Sequence, residues 1–95
     1  MAVKVIERAY PGKSADQLYV EAEKILRKLG EKYGIACQFD AAGKRIVVPE
    51  KLGLKGLCTV SDGLIRVELT HGLMGGALVG TVKSYVEEKL GKIFA

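Results

Sequence analysis

The stretch Leu64 to Thr70, LIRVELT, constrains what this chain can fold into more than any other part of it. Ile65, Val67 and Leu69 alternate with Arg66, Glu68 and Thr70, so an extended backbone turns the aliphatic side chains to one side and the polar ones to the other. A strand patterned this way belongs to a sheet with one buried and one wetted face. Only one face then needs cover, and every helix should lie on it. The expected fold class is α+β: a two-layer domain with a predominantly antiparallel five-stranded sheet and two helices on one face, in the order β-α-β-β-β-β-α.

Four more segments supply the other strands. In AVKVIER, Val3 and Val5 alternate with Lys4, which predicts a first strand that buries the two valines, and Tyr10-Pro11-Gly12 closes it as a turn. Ile35 to Asp40 reads as a second strand with Ile35, Cys37 and Phe39 on one side, followed by a turn at Ala41-Ala42-Gly43. Lys44 to Val48 reads as a third strand, halted by Pro49, which cannot donate to a ladder. PEKLGLKG is then a loop or bent crossing, Leu57 to Val60 a fourth strand, and Ser61-Asp62-Gly63 the turn into the fifth. Strands two to five are expected to form an antiparallel meander, with the first strand beside the fifth.

The first helix announces itself in Ser14-Ala15-Asp16-Gln17, a capping box whose Asp16 complements the helix dipole. Leu18, Ala22, Ile25, Leu26, Leu29 and Tyr33 make its apolar stripe, and Gly34 is the residue free to take positive φ that ends it. In the last stretch Leu78, Val82, Tyr85 or Val86, Leu90 and Ile93 fall at helical spacing. Gly75, Gly76 and Gly80 weaken the entry to this helix by about 1 kcal/mol each relative to alanine. Close packing of the Gly76-to-Gly80 face inside the domain is the expected compensation, with a dimer contact as the alternative.

Length and composition exclude several classes. A chain of 95 residues supports one modest core, and residues 1–95 are read as a single domain. The net charge of +4 is spread through interspersed acids and bases, so no block of like charge marks a nucleic-acid arm. Cys37 and Cys58 stand 21 positions apart with no CxxC and no neighbouring histidine, which argues against a metal site. Thiols in a chain that opens without a signal peptide fit a reducing cytoplasm. The longest uncharged run, Leu69 to Val82, has 14 residues, fewer than the about 20 that a transmembrane helix needs.

Chemistry-bearing motifs are few. Gly75 and Gly80 have the spacing of the first glycines of a phosphate-binding loop, but Thr81 stands where the lysine must be. His71, the one histidine, reads as a polar strand end, and Glu87-Glu88 as part of a solvated helix face. No catalytic constellation is visible, so the protein is expected not to be an enzyme and to need no cofactor. Lys24, Arg27, Lys28 and Lys32 cluster on the first helix and can contact an anion, yet Glu23 and Glu31 dilute them and no aromatics are interleaved, which disfavours nucleic acid. Leu73, Met74, Leu78 and Val79, with Ile93 and Phe94, supply more apolar side chains than one stripe consumes, and such a surplus asks for a partner.

Several strings resemble the polyhydroxyalkanoic acid system protein family, small bacterial proteins associated by name with polyhydroxyalkanoate granules. They are Arg8 to Gly12, Glu31-Lys32-Tyr33-Gly34, Val60 to Glu68, and the glycine-interrupted stretch that leads into Lys83-Ser84-Tyr85-Val86-Glu87-Glu88-Lys89-Leu90. The resemblance implies a cytoplasmic, non-enzymatic accessory protein whose partner is a polyester granule surface, another protein or a second copy of itself. Two alternatives follow from the residues: an acyl-chain module with a cavity beside Leu78, Val82 and Phe39, and nucleic-acid binding through the basic face of the first helix.

Overall fold

The one-sided strand finds the sheet it asks for. The computed structural model describes residues 2–72 and 76–94, with elements β1 (Ala2–Ala9), α1 (Ala15–Tyr33), β2 (Gln38–Asp40), β3 (Arg45–Lys51), β4 (Leu54–Ser61), β5 (Leu64–His71) and α2 (Gly76–Lys92). The strands form one antiparallel sheet in the order β1-β5-β4-β3-β2, the meander with β1 beside β5 that the sequence predicts. Both helices pack on one face, which makes an open two-layer α+β fold.

Cross-strand register explains why that face is apolar. Phe39 pairs with Ile46, Ile46 with Cys58, Cys58 with Val67 and Val67 with Ile6, and paired residues share a face. One row of apolar side chains thus crosses all five strands. Ile46 and Cys58 are fully buried and Ile6 is nearly so, beneath Leu18, Leu26 and Leu29 of α1 and Val82, Val86 and Leu90 of α2.

Four local readings need correction. Val3 and Val5 are 56% and 42% exposed, whereas Ile6 is 4% exposed. β1 takes its parity from Ile6 opposite Val67, and a one-residue change of parity sends the valines to the uncovered face. Pro49 does not halt β3, which runs to Lys51 through an irregularity between Val48 and Lys51, the kind of position where a ladder tolerates proline. The segment read as a loop is a tight hairpin, with Leu52 and Gly53 both at positive φ. Finally, the second strand keeps only Gln38–Asp40, because the Ile35 amide donates to the Gly30 carbonyl and tucks Ile35 under the end of α1.

The helix ends follow their local chemistry. Ser14 Oγ accepts from the Gln17 amide at 3.2 Å and Gln17 Oε1 from the Ser14 amide at 2.9 Å, completing the capping box. Asp62, in the β4–β5 turn, accepts from the Ala15 amide at 2.8 Å, so that turn also caps α1. Gly34 closes the helix with φ 68°. In α2 the buried stripe is Val79, Val82, Val86 and Leu90, one residue round from the expected start at Leu78, with Tyr85 and Ile93 on its flank. Among the described residues the expected close packing of the Gly76-to-Gly80 face is not seen: none lies within 4 Å of a Cβ placed on Gly80, and His71 only reaches 4.0 Å from one on Gly76.

A helical glycine that does serve packing is Gly30, buried in α1, where a Cβ would collide with the Ile35 carbonyl. Gly30→Ala should lower stability by about 1–3 kcal/mol despite alanine's better helix propensity. Gly80→Ala should raise it by about 1 kcal/mol, since the site is open. Urea unfolding of the two variants checks both signs.

Burial pushes the Cys58 thiol up from 9.0 to about 12. Above about pH 9 the unfolded chain sheds a proton that the native chain keeps, so stability should fall with rising pH, with this thiol contributing up to about 1.4 kcal/mol per pH unit. Between pH 9 and 10 the wild type should therefore lose about 1 kcal/mol more than Cys58→Ala. Equal slopes in chemical denaturation would show that the buried thiol does not hold its proton.

Candidate interaction surfaces

The side chains that can meet a partner lie on two opposite sides of the molecule. The first is the uncovered sheet face. Val5, Glu68, Leu57, Val47 and Gln38 form one row across it, and Glu7, Arg66, Thr59, Arg45 and Asp40 the next. Val3, Val5 and Val47 are exposed, and Leu57 is half-buried between them. The charges between these aliphatics neutralise one another. Arg66 reaches Glu7 at 3.3 Å and Glu68 at 2.9 Å, and Arg45 reaches Asp40 at 3.3 Å. The hydrogen bond from Arg66 to Glu68, followed by the one to Glu7, holds that guanidinium above its usual range. The Gly43 amide and then Arg45 hold the Asp40 carboxyl below the usual carboxylate range.

The second side is the outer surface of the helix pair, and it is cationic. The four basic residues of α1 separate there. Arg27 turns toward β2, pairing with Glu23 at 3.1 Å and lying over the Phe39 ring at 4.3 Å. Lys24 and Lys28 face α2 across a groove of about 340 Å³ that Lys89 and Lys92 close from the other side. Ile25, Tyr85, Ile93 and Phe94 are its apolar lining. Lys32 stands 5.1 Å and Lys89 5.5 Å from the centre of the Tyr85 ring, within cation–π range. The field of these lysines is visible on Glu88, whose carboxyl is lowered first by its hydrogen bond from Lys92 and then by the charges of Lys92, Lys89 and Lys32.

The apolar residues expected to form a surface on the last helix are divided. Val79 is 4% exposed and belongs to the core, Leu78 and Ile93 are half-buried, and Phe94 is 45% exposed. Leu73 and Met74 lie outside the described residues. Phe94 sits past the end of α2 at φ 58°, edge-on to Tyr10 with ring centroids 5.9 Å apart and with Lys13 at 4.5 Å from its ring. The Tyr10 hydroxyl donates to the Leu90 carbonyl at 2.7 Å, and its burial raises the phenol pKa. This aromatic pair fixes the C-terminal end of α2 against the β1–α1 turn.

Val3, Val5 and Val47 escaped the sequence reading. For Val47 the signal was present: in RIVV, Val47 lies between Ile46 and Val48, and alternation must turn one of the two sets outward. A further groove of about 280 Å³ runs beside Phe39 and is lined by Leu26, Arg27, Gly30, Ile35 and Cys37 among others, but not by Leu78 or Val82. Among the described residues no group of His, Cys, Asp and Glu is placed to hold a metal ion, and no helix is long and apolar enough to cross a membrane. His71 ends β5, half-buried, with Nδ1 3.0 Å from the Gly72 carbonyl oxygen.

Comparison with known proteins bears on these surfaces. No curated protein matches the chain. A family profile described as "Putative polyhydroxyalkanoic acid system protein" matches residues 6–94, from the buried Ile6 of β1 to the exposed Phe94 beyond α2, which takes in the helix-pair surface and the sheet face apart from Val3 and Val5. The chain belongs to the polyhydroxyalkanoic acid system protein family.

Proposed function

We propose that the protein is a non-enzymatic accessory protein that works at the surface of cytoplasmic polyhydroxyalkanoate granules, docking through the uncovered face of its sheet. The observation that carries this reading is the pairing of exposed aliphatics with self-neutralised charge on that face. Val3, Val5 and Val47 offer apolar area. Of the charged groups among them, Glu7, Glu68 and Asp40 are all paired to Arg66 or Arg45, which leaves Lys55 to be kept wet on its flexible stem. A polyester surface is uncharged and rich in apolar area, so a sheet face that hides its charges against one another loses little hydration there while burying its valines. Membership of a family named for the polyhydroxyalkanoic acid system supplies the biological context.

The alternatives draw less support. An acyl-chain cavity beside Leu78, Val82 and Phe39 conflicts with Val82, which is 1% exposed within the core cluster. Nucleic-acid binding by the first helix needs a continuous basic stripe, whereas Arg27 turns away from Lys24 and Lys28.

A fluorescent fusion in bacteria filled with polyhydroxyalkanoate tests the reading. Fluorescence should ring the granules, and replacing Val3, Val5 and Val47 together by lysine should disperse it without unfolding the protein, because exposed positions tolerate change within about 0.5 kcal/mol each. A diffuse wild type would sink the granule reading. A triple variant that stays on granules, with Phe94→Ser diffuse instead, would move the docking surface to the end of α2.

A further inference from the structure

The groove between α1 and α2 lies on the side of the molecule away from the proposed granule-docking face, and it combines two chemistries. Its lining is aliphatic and aromatic, from Ile25, Tyr85, Ile93 and Phe94. Its rim is ammonium. Glu21 offsets Lys24 at 3.6 Å and Glu88 offsets Lys92 at 3.0 Å, whereas among the described residues Lys28 and Lys89 form no ion pair. An apolar lining beneath two cations that form no ion pair among the described residues is complementary to a molecule with one anionic head and one hydrocarbon tail. The size narrows this further. At about 340 Å³ the groove is at the low end of ligand sites, which run from roughly 300 to 1,000 Å³, so it suits one chain and not a two-tailed lipid.

We infer that this groove binds the free carboxylate form of a single-chain fatty acid, with the head between Lys28 and Lys89 and the tail along Tyr85, Ile93 and Phe94. Tyr85 has a double part. Its half-buried ring walls the groove, and the Lys89 ammonium stands 5.5 Å from the centre of that ring, a cation–π contact that holds the charge at the rim. Phe94 closes the far end, where its packing on Tyr10 keeps an aromatic ring standing out of the surface. The inference does not depend on granule docking: a protein that never touches a granule can bind a fatty acid here, and one that docks by its valines can leave the groove empty.

The test is a titration of the full chain with sodium decanoate at neutral pH, followed by calorimetry and by amide chemical shifts. Saturable one-to-one binding is expected, with shifts at Tyr85, Lys89 and Ile93. The double variant K28Q/K89Q should weaken binding about tenfold, as two partly exposed charge contacts of up to about 1 kcal/mol each imply. E21Q should strengthen it about twofold by removing the acid from the rim. The inference is overturned by any of four results: no saturable binding, 1-decanol binding as tightly as decanoate, unchanged affinity in K28Q/K89Q, or shifts gathered on Val3, Val5 and Val47. Binding to phosphatidylglycerol vesicles without binding to decanoate would overturn it as well, by making the lysines a membrane-surface contact.

Discussion

The apolar row Phe39, Ile46, Cys58, Val67 and Ile6 is the constraint on which the rest of the structure depends. Because partners across an antiparallel sheet share a face, fixing this row fixes the parity of every strand. It decides that Val3 and Val5 point away from the helices, that Val48 and Leu69 meet over Gly56, and that Arg66 lies between Glu7 and Glu68. Gly56 is part of that design, since a Cβ there would sit 3.1 Å from a Leu69 methyl and 3.4 Å from Val48. The two helices cover what the row makes apolar. No buried side-chain nitrogen or oxygen among the described residues lacks a hydrogen-bond partner, so the core's specificity comes from register and shape, without a polar network.

A two-layer fold of this kind has two outsides, and here they differ in character. The sheet face keeps its charges, Lys55 apart, in mutual pairs and leaves its valines open. The helix face carries lysines at the rim of an apolar groove. The difference has a structural origin. Residues on a flat sheet stand in rows close enough for Arg66 to reach two carboxylates at once. Between two helices, by contrast, the residues flanking the contact point along a furrow, and lysines placed there project over the apolar seam. Pairs such as Lys24 with Glu21 and Lys92 with Glu88 form within one helix, and among the described residues they leave Lys28 and Lys89 of the furrow without an ion pair.

Most of the architecture was legible because its signals are local or periodic. The capping box at Ser14, the left-handed Gly34, the stripe of α1 and the alternation in β5 each survive in the structure. What failed were questions of phase. In VKVIE, the valines and Ile6 compete for the same buried face, and nothing within β1 reveals that Val67 on another strand will select the isoleucine. In α2, Leu78-Val79 and Tyr85-Val86 offer two stripes one residue apart, and the smaller valines win because they face the sheet closely while Leu78 and Tyr85 fill the flank. The surfaces were harder still to read, since the groove takes half its residues from a helix about sixty positions away in sequence. The family resemblance was readable in short strings, whereas the face it would use was not.

The glycines of α2 show how a correct cost can be given a wrong remedy. Gly76 and Gly80 cost the helix stability, but among the described residues only His71, at 4.0 Å, reaches a Cβ on Gly76 and none reaches one on Gly80, so no close contact there repays them. The compensation lies at the other end. Val79, Val82, Val86 and Leu90 anchor the helix along its length. Its last turn is then tied by the Tyr10 hydroxyl on the Leu90 carbonyl and by the Tyr10–Phe94 edge contact. Among the described residues its C-terminal end thus combines apolar packing with a long-range hydrogen bond. That is also the end at which Ile93 and Phe94 complete the groove, so the contacts that offset the glycines are the same ones that shape the cationic, apolar cleft beside them.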